Sequence, residues 1–488
     1  MNIIDTIIKA MSPGWALNRE ISRTRLTNYY EATKQTHQRK SRTFGETTAD
    51  GEVNPNLVHM RELSRELDRN HDMAKGILTT LVSRVVGAQI IPQPQIKDIN
   101  GNLLVDFNRE ISKKFKLWSY RPEVTKTSSW GKASRLACRT WMRDGEVLTK
   151  HLVGSVTGFN HSTNIPYSFE LFEPDILPVE YDDEKLNVKA GIQFNTWGEP
   201  TYYYFLKDVN GINVFFGRYS KNDFNKVKAE SVSHLAIKDR LNQSRGMSLF
   251  ASVFTRLDDI KDYEESERIA ARVAAAMTSF IKKDPDVFAS QQTSSDTRYY
   301  EMQPGIIYDD LLPGEEPVSM QSNRPSGLLG DFRNSMLKMI AAGTGAGYST
   351  ISKNYDGTYS AQRQELVEQK SVYDILIEEF NSGWTKPIWD NFLKSLLLSG
   401  FETPLDVDME TLFDVHFQNP TIPWIDPKKE ADANRELNKM GVKTRSKIIR
   451  EQGDNPEDVM EAVLKENEAM GVTDESQELE IEEDEKLV

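Results

Sequence analysis

Gly343, Gly345 and Gly347, in the stretch "MIAAGTGAGYSTISKNYDGTYSAQRQE" (339–365), are the residues whose type and spacing first suggest chemistry. Glycine-rich turns cradle nucleotide phosphates because a backbone without Cβ lets amide N–H groups converge on an anion. A dinucleotide fingerprint needs G-x-G-x-x-G, placed after a strand and opening a helix. Here the spacing is G-x-G-x-G, and the segment before it reads as a helix. The other phosphate-binding loop needs G-x-x-x-x-G-K-[ST]. Tyr348 stands five residues beyond Gly343, with no Lys-Ser/Thr pair after it. Both templates fail on spacing and context. The remaining reading is mechanical. Gly343 is expected to cap a helix in the left-handed conformation. Gly345 and Gly347 then act as loop hinges in a pliable connector carrying Lys353, Tyr355 and Tyr359, with turn residues at Asn354 and Asp356-Gly357.

No other constellation argues for catalysis. The seven histidines (His37, His59, His71, His151, His161, His234, His416) include no pair at i, i+4 and none beside a C-x-x-C. Zinc sites of ordinary spacing need one or the other. There is no G-x-S-x-G elbow and no H-E-x-x-H. Cys138, in "RLACRTWMRDGE", is at helical spacing from Trp141 and reads as a core residue. His71, after "ELDRN" on a helix, reads as a surface or packed residue. The pairs Asp182-Asp183 and Asp309-Asp310 read as solvated loop. No catalytic residue, metal or cofactor is therefore expected. A nucleic-acid enzyme working through acid-bound metal, and a monomeric scaffold or adaptor, remain as alternatives.

The elements that must position these residues belong to a chain of 488 residues, which suggests two to four domains. Hydrophobic content of 38% with 27% charged residues fits a folded, soluble protein. One cysteine excludes an intrachain disulfide and suits a reducing compartment. No apolar run approaches the ~20 residues of a membrane span, and the N-terminus lacks a secretory signal. Net charge is −14, unevenly spread. Residues 1–45 carry eight Lys/Arg against three acids, and 466–488 carry ten acids against one lysine. The body between is acidic too, which argues against tight sequence-independent binding to nucleic acid.

Residues 1–55 read as a basic arm. A long helical pattern follows over 57–87, with Leu63, Leu67, Met73, Ile77, Leu81 and Val85 on its stripe and Gly87 ending it. "DFNREISKKFKLWSY" and "SSWGKASRLACRTWMRDGE" read as two more helices. From Glu146 to about Ile237 short β-rich segments dominate ("VLTKHLV", "YSFELFEP", "AGIQFN", "PTYYYFLKD", "VFFGRYS", "VSHLAI"). The fold class is therefore α+β, with antiparallel strands. A helix is expected from Phe250 to Lys283, roughly 50 Å long. Its stripe is Val253, Leu257, Ile260, Ile269, Val273, Met277 and Phe280, and its second half is rich in alanine. A polar insert with strand signals spans 284–325, and "SGLLGDFRNSMLKMIAAG" is a second helix leading to the glycines. "SAQRQELVEQKSVYDILIEEFNSGW" opens the next helix, with Ser360 as N-cap.

Five stretches, in order, add up to a resemblance. They are "RELSRELDRNHDMAKGILTTLVSRVVGAQIIPQP" (61–94), "WGKASRLACRTWMRDGEVL" with its Asp144-Gly145-Glu146 turn, and "IAARVAAAMTSFIKK" followed by "PGIIYDDLLPGEEP". Then come Ile-Ala-Ala-Gly before a Tyr-rich loop and Ala361-Gln362-Arg363, and lastly "PWIDPKKEADANRELNKMGVKTRSKIIREQGDNPEDVMEAVLKENE". From about 20 to 468 the chain resembles the lambda-type portal protein family of tailed bacteriophages.

That resemblance implies a phage portal fold: an α/β wing, a long helical stem, a small β-containing clip and a helical crown. Residues 56–250 and 361–425 would be the wing, and 251–283 and 326–342 the stem. The clip would be 284–325, the tunnel loop 343–360 and the crown 426–472, leaving 1–55 as arm and 473–488 as acidic tail. It further implies a homo-oligomeric ring, usually of twelve subunits, in the virion at one capsid vertex. Such a ring, assembled in the host cytoplasm, passes double-stranded DNA non-specifically during packaging and ejection. Its partners would be the terminase motor, the head-tail connector, and the major capsid and scaffold proteins, with no membrane. ATP hydrolysis would belong to the motor. Lys353, Tyr355 and Tyr359 would be the DNA-channel loop residues. An acidic body with few phosphate contacts favours sliding over sticking.

Overall fold

The computed structural model describes residues 48–207, 221–276, 280–283, 315–318, 329–355, 357–421 and 426–470. Outside these fall most of the basic arm, the "VFFGRYS" segment, most of the 284–325 insert with Asp309-Asp310, and the acidic tail. Residues from Glu52 onward make up one compact unit.

The long helical pattern is two helices, α1 (Ala49–Asn70) and α2 (Asp72–Val85), separated by His71. Neither Gly nor Pro breaks them. His71 has an extended backbone (φ −120°, ψ 113°) and its ring is buried, so the break turns a side chain inward. Gly87 closes α2 with a left-handed φ of 59°. The strand β1 (Ile91–Pro94) follows, then α3 (Val105–Trp118) and α4 (Trp130–Asp144), both close to expectation. Phe107, Ile111, Phe115 and Trp118 line one face of α3; Trp130, Ala137, Cys138 and Trp141 line one face of α4.

The β-rich region forms two antiparallel sheets, which confirms the α+β class. One has the order β3-β2-β8, from β2 (Glu146–Val153), β3 (Tyr167–Phe172) and β8 (Val232–Ala236). The other is a meander of β4 (Val188–Lys189), β5 (Ile192–Phe194), β6 (Pro200–Leu206) and β7 (Phe224–Lys228). Aromatic rings join the first sheet to the helices: Trp118 stacks on Tyr167 at 5.4 Å and Trp130 on Trp384 at 5.1 Å. Each indole has a partner, Trp118 donating to the Tyr167 carbonyl and Trp130 to the Ile90 carbonyl. Buried aromatics with satisfied N–H groups carry much of a core's energy.

The helix expected from Phe250 to Lys283 is shorter at both ends. It is α5 (Phe254–Ala276), and Phe280–Lys283 is instead a strand, β9. β9 pairs antiparallel with β10 (Glu315–Val318), Phe280 opposite Val318. The period of Met277 and Phe280 continues the helical stripe, but two β-branched or aromatic residues followed by lysines also suit a strand. The second helix, α6, is Leu329–Thr344, followed by a short α7 (Tyr348–Ser352) and then α8 (Tyr359–Phe380). A single π turn, Asn381–Thr385, leads into α9 (Lys386–Leu398). β11 (Val415–Gln418) returns to pair with β1, and α10 (Pro427–Lys439), α11 (Arg445–Gln452) and α12 (Pro456–Met470) follow.

Candidate functional site

The glycine segment lies where α6, α7 and α8 succeed one another, and only one of its glycines turns the chain. α6 runs through Gly343 to Thr344, so Gly343 is not the left-handed cap. A Cβ there would fall 2.4 Å from Val253 Cγ1. Gly343 is therefore a close-approach point between α6 and the start of α5. The left-handed residue is Gly345, at φ +70°. Gly347 has an ordinary φ of −66°, but a Cβ on it would lie 1.6 Å from Gln369 Nε2. All three glycines thus admit a neighbour, a Cβ on Gly345 falling 2.8 Å from Val372 Cγ1, and Gly345 alone also bends the backbone.

The connector after them is structured. In α7 the Ser349 amide donates to Glu365 Oε1 at 2.9 Å, and its hydroxyl donates to the other carboxylate oxygen. Gln369 Nε2 donates to the same Glu365 Oε1 at 2.8 Å, and the Tyr373 hydroxyl donates to Gln369 Oε1 at 3.3 Å. Glu365, Gln369 and Tyr373 sit on successive turns of α8, hence on one face. Gln369 and Tyr373 are buried, and burial pushes the Tyr373 hydroxyl pKa above its ordinary value. Tyr348 and Ile351 pack against the main core.

Beyond α7 the chain turns outward. Lys353, left-handed at φ 55°, ends the helix and is exposed, as is Tyr355. Tyr359 opens α8; its side chain lies outside the described residues. The N-cap of α8 is Thr358, whose hydroxyl accepts from the Ala361 amide at 3.3 Å, and not Ser360. Gln362 reaches back to the carbonyls of Tyr355 and Gly357.

Behind the loop, α5 and α6 pack together through Leu257, Ile260, Leu337 and Ile340, all buried. Arg333 meets Glu264 at 3.1 Å, and the rings of Tyr263 and Phe332 are 4.7 Å apart. At the root of α5, buried His71 donates from Nε2 to the Leu257 carbonyl at 3.0 Å. His71 is thus a packed residue.

Sequence reasoning missed a buried charged centre. Glu146 accepts from Arg245, Arg61, His234 and the Gly246 amide. Arg245, wholly buried, also donates to the carbonyls of Pro174, Leu177 and Ala190. Alongside, Asp144 takes Arg65 and Arg143, and Arg65 continues to Asp175. Burial alone would raise the Glu146 carboxyl, but Arg245, His234 and Arg61 outweigh it and hold it well below the usual range. His234 is pushed down by burial, with Glu146 opposing. The only sequence signal was charge inside the apolar-flanked "RDGE" and "SRGMS". The glycines there explain the fit: a Cβ on Gly246 would lie 2.1 Å from the Gly145 carbonyl oxygen.

Other groups with reactive side chains are held fast. His151 is buried between the Tyr167 and Ser233 hydroxyls, each at 2.8 Å, and burial pushes its pKa down to about 4. The Cys138 thiol is buried and its pKa pushed up. Asp183 caps a short turn and Asp182 accepts the Ala190 amide. Among the described residues no cluster of His, Cys, Asp or Glu is placed to hold a metal ion. No helix among them is long and apolar enough to cross a membrane.

A family model described as phage portal protein, lambda family, matches residues 35–376. The chain is 24% identical over 460 residues to the probable portal protein of Halomonas phage phiHAP-1, covering 89% of this chain and 85% of that one. Among solved structures it is similar to a chain of the neck of a native gene transfer agent particle computed with C12 symmetry. That likeness has a TM-score of 0.46 and 10% identity, over 79% of this chain and 90% of that one. A chain of the neck of the empty particle, computed with C6 symmetry, gives a TM-score of 0.48 at 10% identity, over 78% and 91%.

Proposed function

This chain belongs to the lambda family of phage portal proteins, which form the ring at a capsid vertex, and we propose that it builds a ring of twelve copies through which double-stranded DNA is packaged and ejected. In this reading residues 56–250 and 361–425 are the wing, 251–283 and 326–342 the stem, 284–325 the clip, 343–360 the tunnel loop and 426–472 the crown. The clip docks the terminase motor and later the head-tail connector, while capsid and scaffold proteins surround the wing. The ring assembles in the host cytoplasm and ends in the virion. Its part in DNA movement is passive, the ATP being hydrolysed by the motor.

The observation that carries the loop assignment is the exposed tip between α6 and α8. Lys353 and Tyr355 project from a segment whose base is fixed in the core. The acidic body of a chain at −14 overall keeps phosphate contacts few and favours sliding.

The test is the mass of the purified protein, with images of the same sample. The subunit is 55.7 kDa, so a closed cyclic dodecamer is expected at roughly 670 kDa with a central hole. Deleting 349–359 should then impair packaging or retention of DNA and leave the ring intact. Loss of the ring on that deletion would overturn the tunnel-loop assignment.

A further inference from the structure

The base of the loop is built as a lever, and one carboxylate sets its position. α7 contacts α8 through a relay of four side chains, Ser349, Glu365, Gln369 and Tyr373. At the core end Tyr373 is 3% exposed and Gln369 7%. At the loop end Glu365 takes both the amide and the hydroxyl of Ser349, and hydrogen bonds to an ionised acceptor are roughly twice as strong as neutral ones. Gly347 makes the arrangement possible, since any Cβ there would overlap the Gln369 amide.

We propose that Glu365 is a positioning residue that seats α7 on α8, so that Lys353 and Tyr355 move as the end of a rigid lever hinged at Gly345. α7 is thus a stiff arm bounded by left-handed residues, Gly345 before it and Lys353 after it. A second effect follows for charge. Glu365 has its oxygens turned to Ser349 and Gln369, so its charge is directed into the seat, while Lys353 stays exposed at the end of α7. The seat stands on the geometry alone; the task given to the lever rests on the portal reading.

Hydrogen–deuterium exchange on the full chain tests this. Glu365→Ala should speed exchange of the 348–353 amides roughly tenfold, the scale of losing hydrogen bonds to a charged group. Exchange in α9 should not change. Glu365→Gln keeps an acceptor oxygen for the Ser349 amide and should restore most of the protection. Unchanged exchange over 348–353 in the alanine variant would overturn the seat. So would equal acceleration in α9 without rescue by glutamine, because that pattern marks general destabilisation. Rings of the alanine variant should also retain packaged DNA less well. A faster-exchanging loop with normal retention would leave the seat standing and remove the loop from DNA handling.

Discussion

Arg245 Nε and Nη2 reach Glu146 Oε1 at 2.9 and 2.6 Å, with neither side chain exposed to solvent at all. Two residues 99 positions apart thereby fix the end of α4 and the start of β2 against the segment that leads to α5. Removing one partner strands a buried charge, which typically costs about 3–5 kcal/mol. Glu146→Ala should therefore lower the unfolding midpoint steeply, while Glu146→Leu with Arg245→Met should cost far less than the two single changes added together. A double-mutant cycle on thermal unfolding reads this directly, and additive losses would contradict it.

Acid should weaken the fold through His151. The free imidazole takes up its proton near 6.5, whereas the buried one does so only near 4. Between those values the unfolded chain holds the extra proton, so stability is present above pH 6.5 and is lost as pH falls toward 4. The loss over that window is about 3 kcal/mol. His234, also lowered by burial, acts in the same direction. Melting temperatures from pH 7 to 4.5 should fall in the native protein and fall less in His151→Gln. A flat profile in the native protein would refute the assignment.

The three loop glycines should respond differently to alanine. Gly345→Ala forces an L residue to φ +70°, a strain of roughly 1–2 kcal/mol, and also brings its Cβ to 2.8 Å from Val372 Cγ1. Gly343→Ala must push Val253 aside, and Gly347→Ala must evict Gln369. Overpacking of this kind costs about 1–3 kcal/mol. Proteolysis should then find the loop opened in Gly347→Ala and closed in Gly343→Ala, whose disturbance falls at the α5–α6 contact.

Lys353→Ala and Tyr355→Ala should leave ring mass unchanged, because both side chains are exposed. If Lys353 touches phosphate, its loss should flatten the dependence of DNA association on salt. Each contact removed takes about 0.9 from the slope of log K against log salt. The comparison is binding of a linear duplex to native and variant rings across a salt series, and parallel slopes would remove Lys353 from the contact.

Much of this fold can be read along the chain where apolar period and turn residues agree. Phe107, Ile111, Phe115 and Trp118 mark α3 as plainly in sequence as in space. The break at His71 is invisible because the stripe of Leu67, Met73 and Ile77 crosses it, and only contact with the Leu257 carbonyl makes the extended residue favourable. β1 hides behind Pro92 and Pro94, which a two-stranded ribbon tolerates since both its strands are edges. The positions of the loop glycines are legible as sequence and their roles are not. Gly343 and Gly347 answer to Val253 and Gln369, one far upstream and the other on a helix not yet formed when the spacing is read. The charged centre was missed for the same reason: Arg61 and Glu146 lie 85 residues apart, and no local pattern links them.

The dipeptides Gly145-Glu146 and Arg245-Gly246 fit back to back, carboxylate to guanidinium and backbone to backbone. They behave as a single part supplied by two distant pieces of chain. Hybrids assembled from this protein and a relative are thus constrained in where they can be joined. A junction between 146 and 245 takes the two halves from different parents, and it works only if both parents share the same part. Arg61 and Arg65 bind the same centre, so only junctions before 61 or after 246 inherit it whole, and those are the places at which to cut.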